Sequence, residues 1–408
     1  MRQTLPVWSL RTDILFEFRQ ISASDSFVIL VLTAGFGDGH NTAAFSTAEA
    51  LRRLCPGEDV QTCDLISEVQ PRIATVLKNL YQQAITHFPS GWRLVYRMLE
   101  KSDVDPQDSA WLAPLVRGLR EKIETLQPRL IISTYPLYAA LMDALRKQHV
   151  PLPRLVTIIT DSISVHRIWL MQPSDLYCVA DAETHEVVEK LGIPANKVTI
   201  TGFPVSLQFT ETLPPGATQP GVQRILYLPS TTGRRVATTL AALKPLLEAG
   251  VKLTIPVGKH SSRLYHVLRK FTDAMPQARV EIIGWTNRIP ELLRTHDVVI
   301  CKAGGAILHE VLAARIPAVI DYVVPGQEEG NAEMLLSRNC AYRTFTSKET
   351  GEAVAKVLAN GGKVGRQMQA NMLAISVPDA AIRTAQIALE MASPLATKES
   401  LSATKQEA

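Results

Sequence analysis

Short apolar runs rich in Val and Ile recur along the chain, separated by longer segments with helical spacing. The runs are Phe27–Leu32, Leu130–Ser133, Leu155–Thr160 and Leu176–Val179, then Ile225–Leu228, Leu253–Val257, Val280–Ile283, Val298–Ile300 and Ala318–Ile320. A run that stays apolar on successive residues suits a strand covered on both faces, and strands alternating with helices read as parallel sheets. Between the fourth and fifth runs lies Leu213–Gln223, LPPGATQPGVQ, where three prolines and two glycines mark a linker. The pattern predicts an α/β protein of two doubly wound, Rossmann-like domains, 26–212 and 224–377, joined by the linker 213–223. An N-terminal extension (1–25), a closing helix over 378–392 returning to the first domain and a polar, frayed tail (393–408) complete the expected organisation.

Composition agrees with two cores. A chain of 408 residues exceeds one ordinary domain, and at 46% hydrophobic and 20% charged it has the makeup of a globular protein. The net charge of +4 is mild. It calls for no nucleic acid, but concentrated locally it suits an anionic membrane surface. Cys55, Cys63, Cys178, Cys301 and Cys340 are scattered singly, which suggests neither a zinc site nor a disulfide framework and fits a reducing cytoplasm. No apolar run approaches the roughly 18 to 20 residues a membrane-spanning helix needs, and the first 25 residues lack the uninterrupted apolar stretch of an export signal.

Three segments carry candidate chemistry. The first, Gly35–His40 (GFGDGH), follows a predicted strand and precedes a helix expected to begin near Thr42. Glycines such as Gly37 and Gly39 let backbone approach a ligand, and free amides at a helix start attract anions or hydroxyls. His40 occupies the last position that a G-x-G-x-x-G dinucleotide fingerprint reserves for glycine, so that fingerprint fails. A tight turn with a solvent-facing histidine is the alternative. The second, Thr160–Trp169 (TDSISVHRIW), puts Asp161 at the C-terminal end of a strand, where open α/β sheets bind ligands, although an Asp there also commonly caps a turn. In the third, CKAGGAILHEVLAARIP, Gly304 and Gly305 follow Lys302 and open a helix carrying Glu310. First-turn amides of such a helix can hold a diphosphate. The loop VPGQEEGNAEML beyond the next strand offers Gln327, Glu328 and Asn331 as partners for a polyol, or is simply solvated.

These segments together resemble the monogalactosyldiacylglycerol synthase and processive diacylglycerol glucosyltransferase family, within glycosyltransferase family 28, from Phe27 to about Ala392. The resemblance implies a GT-B fold, an inverting transfer of a hexose from a UDP-sugar to a lipid such as diacylglycerol, and a peripheral location on the cytoplasmic face of a membrane. It implies His40 as general base, Asp161 as its partner or substitute, and Gly37, Gly39, His166 and Trp169 on the acceptor side. A neutral imidazole suits the base role, its unperturbed pKa near 6.5 leaving it free to take a proton from a hydroxyl. On the donor side the resemblance implies Gly284 and Trp285 at the uracil, Glu310 at the ribose, Gly304 and Gly305 at the diphosphate, and Gln327 and Glu328 at the hexose, with Asn331 holding their loop and Lys302 also among the donor-binding residues. A different acceptor, polyprenyl-linked or a secondary metabolite, and a non-catalytic sugar-nucleotide binder are the alternatives.

One segment departs from the family. Its second domain usually opens with a glycine-rich turn, whereas this chain has YLPSTTGRRVATTL with Gly233 alone, so hydroxyls of Ser230–Thr232 and Arg234 or Arg235 would have to serve. No cofactor or metal is expected, because the D-x-D at Asp103–Asp105 reads as a solvated loop. For the acceptor, Pro71–Glu100 mixes apolar and aromatic residues with Arg72, Lys78, Arg93 and Arg97. That mixture fits an interfacial segment on a bilayer or a pair of core helices, and the resemblance favours the bilayer.

Overall fold

The computed structural model describes residues 27–87, 112–213, 221–230, 232–258, 261–326 and 328–393. In the first unit β1 (Val28–Leu32) leads into α1 (Asp38–Leu54), then β2 (Asp59–Cys63), α2 (Leu65–Val69), α3 (Pro71–His87) and α4 (Ala113–Leu126). It continues through β3 (Leu130–Ser133), α5 (Leu137–Lys147), β4 (Arg154–Ile158), β5 (Leu176–Val179), α6 (Ala182–Lys190) and β6 (Val198–Ile200). All strand pairs are parallel, in the order β2-β1-β3-β4-β5-β6. Winding reverses between β1 and β3, so the loops after these two strands flank a crevice suited to a ligand.

The second unit runs β7 (Arg224–Tyr227), α7 (Gly233–Glu248), β8 (Lys252–Pro256), α8 (Ser261–Ala274), β9 (Val280–Ile283), α9 (Ile289–Thr295) and β10 (Val298–Lys302). It closes with α10 (Gly305–Ala314), β11 (Ala318–Tyr322), α11 (Glu329–Leu336), β12 (Ala341–Arg343), α12 (Ser347–Leu373) and α13 (Ala380–Ala392). Its sheet is again parallel, in the order β12-β11-β10-β7-β8-β9, with the reversal between β7 and β10.

Every apolar run named from the sequence is a strand here, shifted by no more than two residues at its ends. The sequence pattern passed over β2, β6 and β12, and all three are edge strands. An edge strand is covered on fewer sides, so it needs no unbroken apolar run: Asp59–Cys63 reads DVQTC, and only Val60 and Cys63 of it are buried.

Alternate residues of the strands serve the two faces. Leu30, Leu32, Ile131 and Leu155 pack with α2, α4 and α5. Ile29, Val31, Ile132 and Val156 belong to a cluster that continues into Leu226, Val299, Cys301 and Ile320 of the second unit, so one apolar core crosses the unit boundary. At about 1.5 to 3 kcal/mol per fully buried aliphatic side chain, this shared core holds the two sheets together. Alanines make the close approach: Ala43, Ala44 and Ala48 of α1 and Ala381, Ala385 and Ala388 of α13 are fully buried in it. Arg154 adds a hydrogen bond from Nη1 to the Met391 carbonyl at 3.1 Å.

Candidate active site

The helix after the first glycine-rich loop starts at Asp38, not near Thr42, so His40 sits in its first turn. Gly37 makes this start possible: its φ of 102° is open to glycine and strained for other residues. No side chain caps this end of α1, and a Cβ at Gly37 or Gly39 would meet nothing within 4 Å, so the turn borders open space. Gly35 is different. Its amide donates to Asp64 Oδ2 at 3.1 Å, and Lys78 of α3 lies where its Cβ would be.

His40 bridges the loops after β1 and β3 at the first reversal point. Its Nδ1 lies 2.6 Å from the Thr134 carbonyl, which can only accept, so Nδ1 carries the proton and donates it. The Thr160 hydroxyl, 3.1 Å from the same nitrogen, is a second acceptor. Nε2 is thereby left as the basic atom, with no hydrogen-bond partner among the described residues. Burial pushes the imidazole pKa down to about 4, against a smaller opposing effect of the Thr134 hydrogen bond, so the ring is neutral at pH 7. Tyr135 meets the ring edge-on at 5.0 Å and Trp169 lies 6.0 Å away.

Asp161 does not touch His40. Its Oδ2 accepts from Trp169 Nε1 at 2.8 Å and from the His166 amide at 3.4 Å, and burial raises its pKa. His166 accepts from the Ile168 amide through Nδ1 at 3.1 Å and so caps the short turn Arg167–Trp169. Both His166 and Trp169 are buried. Asp161 therefore fixes the indole that stands beside the imidazole.

On the other side of the cleft, α10 starts at the second reversal point. Gly304 is its extended N-cap, without a side-chain cap, and Lys302 Nζ would stand 3.1 Å from a Cβ at that position. Uncapped amides and an ammonium group thus converge, the combination that binds an anion. Lys302 also pairs with Glu328 Oε1 at 2.5 Å, and the buried Glu328 accepts from the Val324 amide through Oε2 at 3.0 Å. Asn331 donates to the Ala303 carbonyl at 3.3 Å, tying the loop after β11 to the end of β10. Burial first, and then the charge of Asp38 of α1, push the Glu310 pKa up to about 7. Gly284 and Trp285 follow the edge strand β9, with Trp285 74% exposed. Gln327 and the Asp103–Asp105 pair lie outside the described residues, and among the described residues no group of three or more His, Cys, Asp or Glu could hold a metal ion.

At the departure from the family, Arg235 is committed to backbone. Its Nη1 donates to the Phe345 carbonyl at 2.7 Å and its Nη2 to the Asp321 carbonyl at 3.1 Å, while Arg234 is exposed. The side chain of Asp321, 3% exposed, has neither oxygen paired, and burial pushes it up to about 7. Motif reading missed Thr134, Thr160, Asp38 and Ser162, which acquire roles only by contact across the fold. His309 stood inside the third motif with no role attached, and its Nε2 lies 2.8 Å from Ser162 Oγ of the first unit.

Two facing parallel sheets, with the site between their reversal points, are the architecture of a GT-B glycosyltransferase. Solved structures with this fold include MurG from Acinetobacter baumannii (TM-score 0.57, 15% identity, 90% of this chain and 100% of that one) and the glycosyltransferase SnogD from Streptomyces nogalater (TM-score 0.55, 16% identity, the same coverage). More particularly, residues 40–205 match the model of the monogalactosyldiacylglycerol (MGDG) synthase family, to which the chain is similar. It is 28% identical over 369 residues to a processive diacylglycerol beta-glucosyltransferase from Bacillus cytotoxicus, covering 89% of this chain and 93% of that one. A protein of the same description from Bacillus cereus is 28% identical over 364 residues, covering 86% and 91%.

Proposed function

We propose that this protein is an inverting hexosyltransferase that moves glucose or galactose from a UDP-sugar to diacylglycerol at an anionic membrane surface. The acceptor hydroxyl oxygen attacks the anomeric carbon, the bond from that carbon to the diphosphate breaks, and the hydroxyl proton passes to His40 Nε2. Charge on the departing UDP is met by the N-terminal amides of α10 and the Lys302 ammonium. Glu310 accepts from the ribose, Glu328 with Gln327 engages the hexose, and Gly284 with Trp285 receives the uracil. Asp161 acts through Trp169 as a positioning residue on the acceptor side.

The observation that carries this reading is the state of His40: neutral, held through Nδ1, with Nε2 unpartnered among the described residues. The lipid acceptor and the peripheral, cytoplasmic-face location draw support from the relatives' names and from α3. Ile73, Val76, Leu77 and Leu80 form an exposed apolar stripe on that helix, while its Lys78 reaches back to Asp64 and the glycine-rich loop. Among the described residues no helix is long and apolar enough to cross a membrane.

The test is transfer from radiolabelled UDP-glucose or UDP-galactose to diacylglycerol in anionic vesicles. His40→Ala should lower turnover by about 100- to 10,000-fold while UDP affinity stays close to wild type. The acidic limb of the wild-type kcat, measured at saturating UDP-sugar, should fall near pH 4, following the depressed imidazole, and should vanish in the variant. Near-normal turnover of His40→Ala would remove the imidazole from the chemistry, and transfer only to polyprenyl-linked or soluble acceptors would remove the diacylglycerol assignment.

A further inference from the structure

The segment after β4 is held in a conformation it would not adopt alone. Ser164 donates its amide to the Ser162 carbonyl at 2.7 Å, closing a three-residue turn around Ile163, whose φ is +61°. A β-branched residue in that region is an outlier, and a turn of this kind is strained. Within its own unit, the turn is anchored by a bond from the Ile163 amide to Thr184 Oγ1 at 3.0 Å. The remaining restraints come from the second unit. Ser162 Oγ is hydrogen-bonded to His309 Nε2 at 2.8 Å, and the His309 ring is itself fixed by stacking on Phe203, with centroids 4.6 Å apart and planes 6° from parallel. The Ser162 carbonyl lies against Gly330, where a Cβ would come within 2.5 Å of it, and the Thr160 carbonyl lies 3.2 Å from the Cβ position of Gly305.

The same segment delivers the site. Thr160, two residues before Ser162, contacts His40 Nδ1, and Asp161, one residue before it, holds Trp169 beside the imidazole. At the other end of the contact, α10 carries Gly304 and Gly305 at its start and Glu310 directly after His309. We propose that His309 is a positioning residue: through Ser162 it clamps the strained turn, fixes Thr160 and Trp169 against His40, and so couples the seating of donor on α10 to the orientation of the base. The inference rests on the transferase assignment above.

Four variants test it in the full-length protein. His309→Leu keeps an apolar side chain against Phe203 without the hydrogen bond, Ser162→Ala removes the other partner, the double variant combines them, and His309→Gln restores a polar atom at the reach of Nε2. Each single loss should lower kcat by about 10- to 100-fold, as expected for a displaced catalytic group, with KM for the UDP-sugar changed no more than about two-fold. The double variant should be no slower than the worse single one, and His309→Gln should recover most of the rate. In the substrate-free protein, the NMR signal of the His40 ring, assigned by its loss in His40→Gln, should shift in both single variants. An unmoved His40 signal, additive losses in the double variant, or failure of His309→Gln to restore the rate would each overturn the proposal. If the wild type transfers no sugar, the transferase assignment falls, while the His40 signal still decides whether His309 reaches the imidazole.

Discussion

Protonation at single residues sets how this site responds to pH. Glu310 is pushed up to about 7 by burial and by the neighbouring Asp38, so near neutrality it is divided between its two forms. Ribose hydroxyls donate to a carboxylate better than to a carboxylic acid, so if Glu310 holds the ribose as proposed, bound UDP should favour the ionised form and its binding should release a proton. The sign follows: UDP affinity should rise as pH increases through 7 and level off above 8. Titration calorimetry at pH 6 and 8 should find a gain of roughly 3- to 10-fold, given at most ten-fold per pH unit for one proton. Glu310→Gln should flatten that dependence, and equal affinity of the wild type at both pH values would place the ribose elsewhere. His40 works in the opposite sense, since burial has lowered it and it is ready to accept a proton throughout this range. Which residues could do chemistry was legible in the motifs, but these shifts were not. They arise from desolvation and from Asp38 across the cleft, neither of which a linear motif records.

Among the described residues, α3 carries an apolar stripe on its exposed face. Val76 and Leu80 are 57% and 60% exposed, and with Ile73 and Leu77 they follow the spacing of one helical face. Lys78 was expected among the basic lipid contacts. It instead forms an ion pair with Asp64 at 3.0 Å and bonds Ser67 at 2.7 Å, because its place on the helix turns it inward under Gly35. Arg93 and Arg97 lie outside the described residues. The apolar face, and not Lys78, should therefore govern attachment. Val76→Glu with Leu80→Glu should reduce cosedimentation with anionic vesicles on the order of ten-fold or more, since two apolar side chains no longer enter the bilayer. Binding of UDP measured without lipid should be unchanged. Equal sedimentation of the variant would assign the stripe to another role.

At the scale of the whole molecule, the two units meet through backbone as well as side chains. Gly330 is the tightest point, since a Cβ there would stand 2.5 Å from both the Ser162 carbonyl and Ser164 Oγ. Gly330→Ala should wedge the interface at a cost of about 1 to 3 kcal/mol, seen as an apparent Tm lowered by several degrees. Transfer should fall with it, because Thr160 and Asp161 precede the displaced turn. Unchanged melting and activity would show that the interface opens freely at this point.

The sequence by itself determined the α/β class, the central strands and the segments that build the two loops at the reversal points. Those features rest on local signals: unbroken apolar runs such as Val298–Ile300, and glycines at strand-to-helix junctions such as Gly304 and Gly305. Tertiary structure decided the rest. The edge strands β2, β6 and β12 became strands by pairing with a central neighbour, which compensates for their weak apolar pattern. The tautomer of His40 was fixed by a carbonyl 94 residues away, and the role of Ser162 by a histidine 147 residues away. Hydrogen bonds of that span depend on how two sheets pack, and packing is a property of the folded chain that no window of sequence contains.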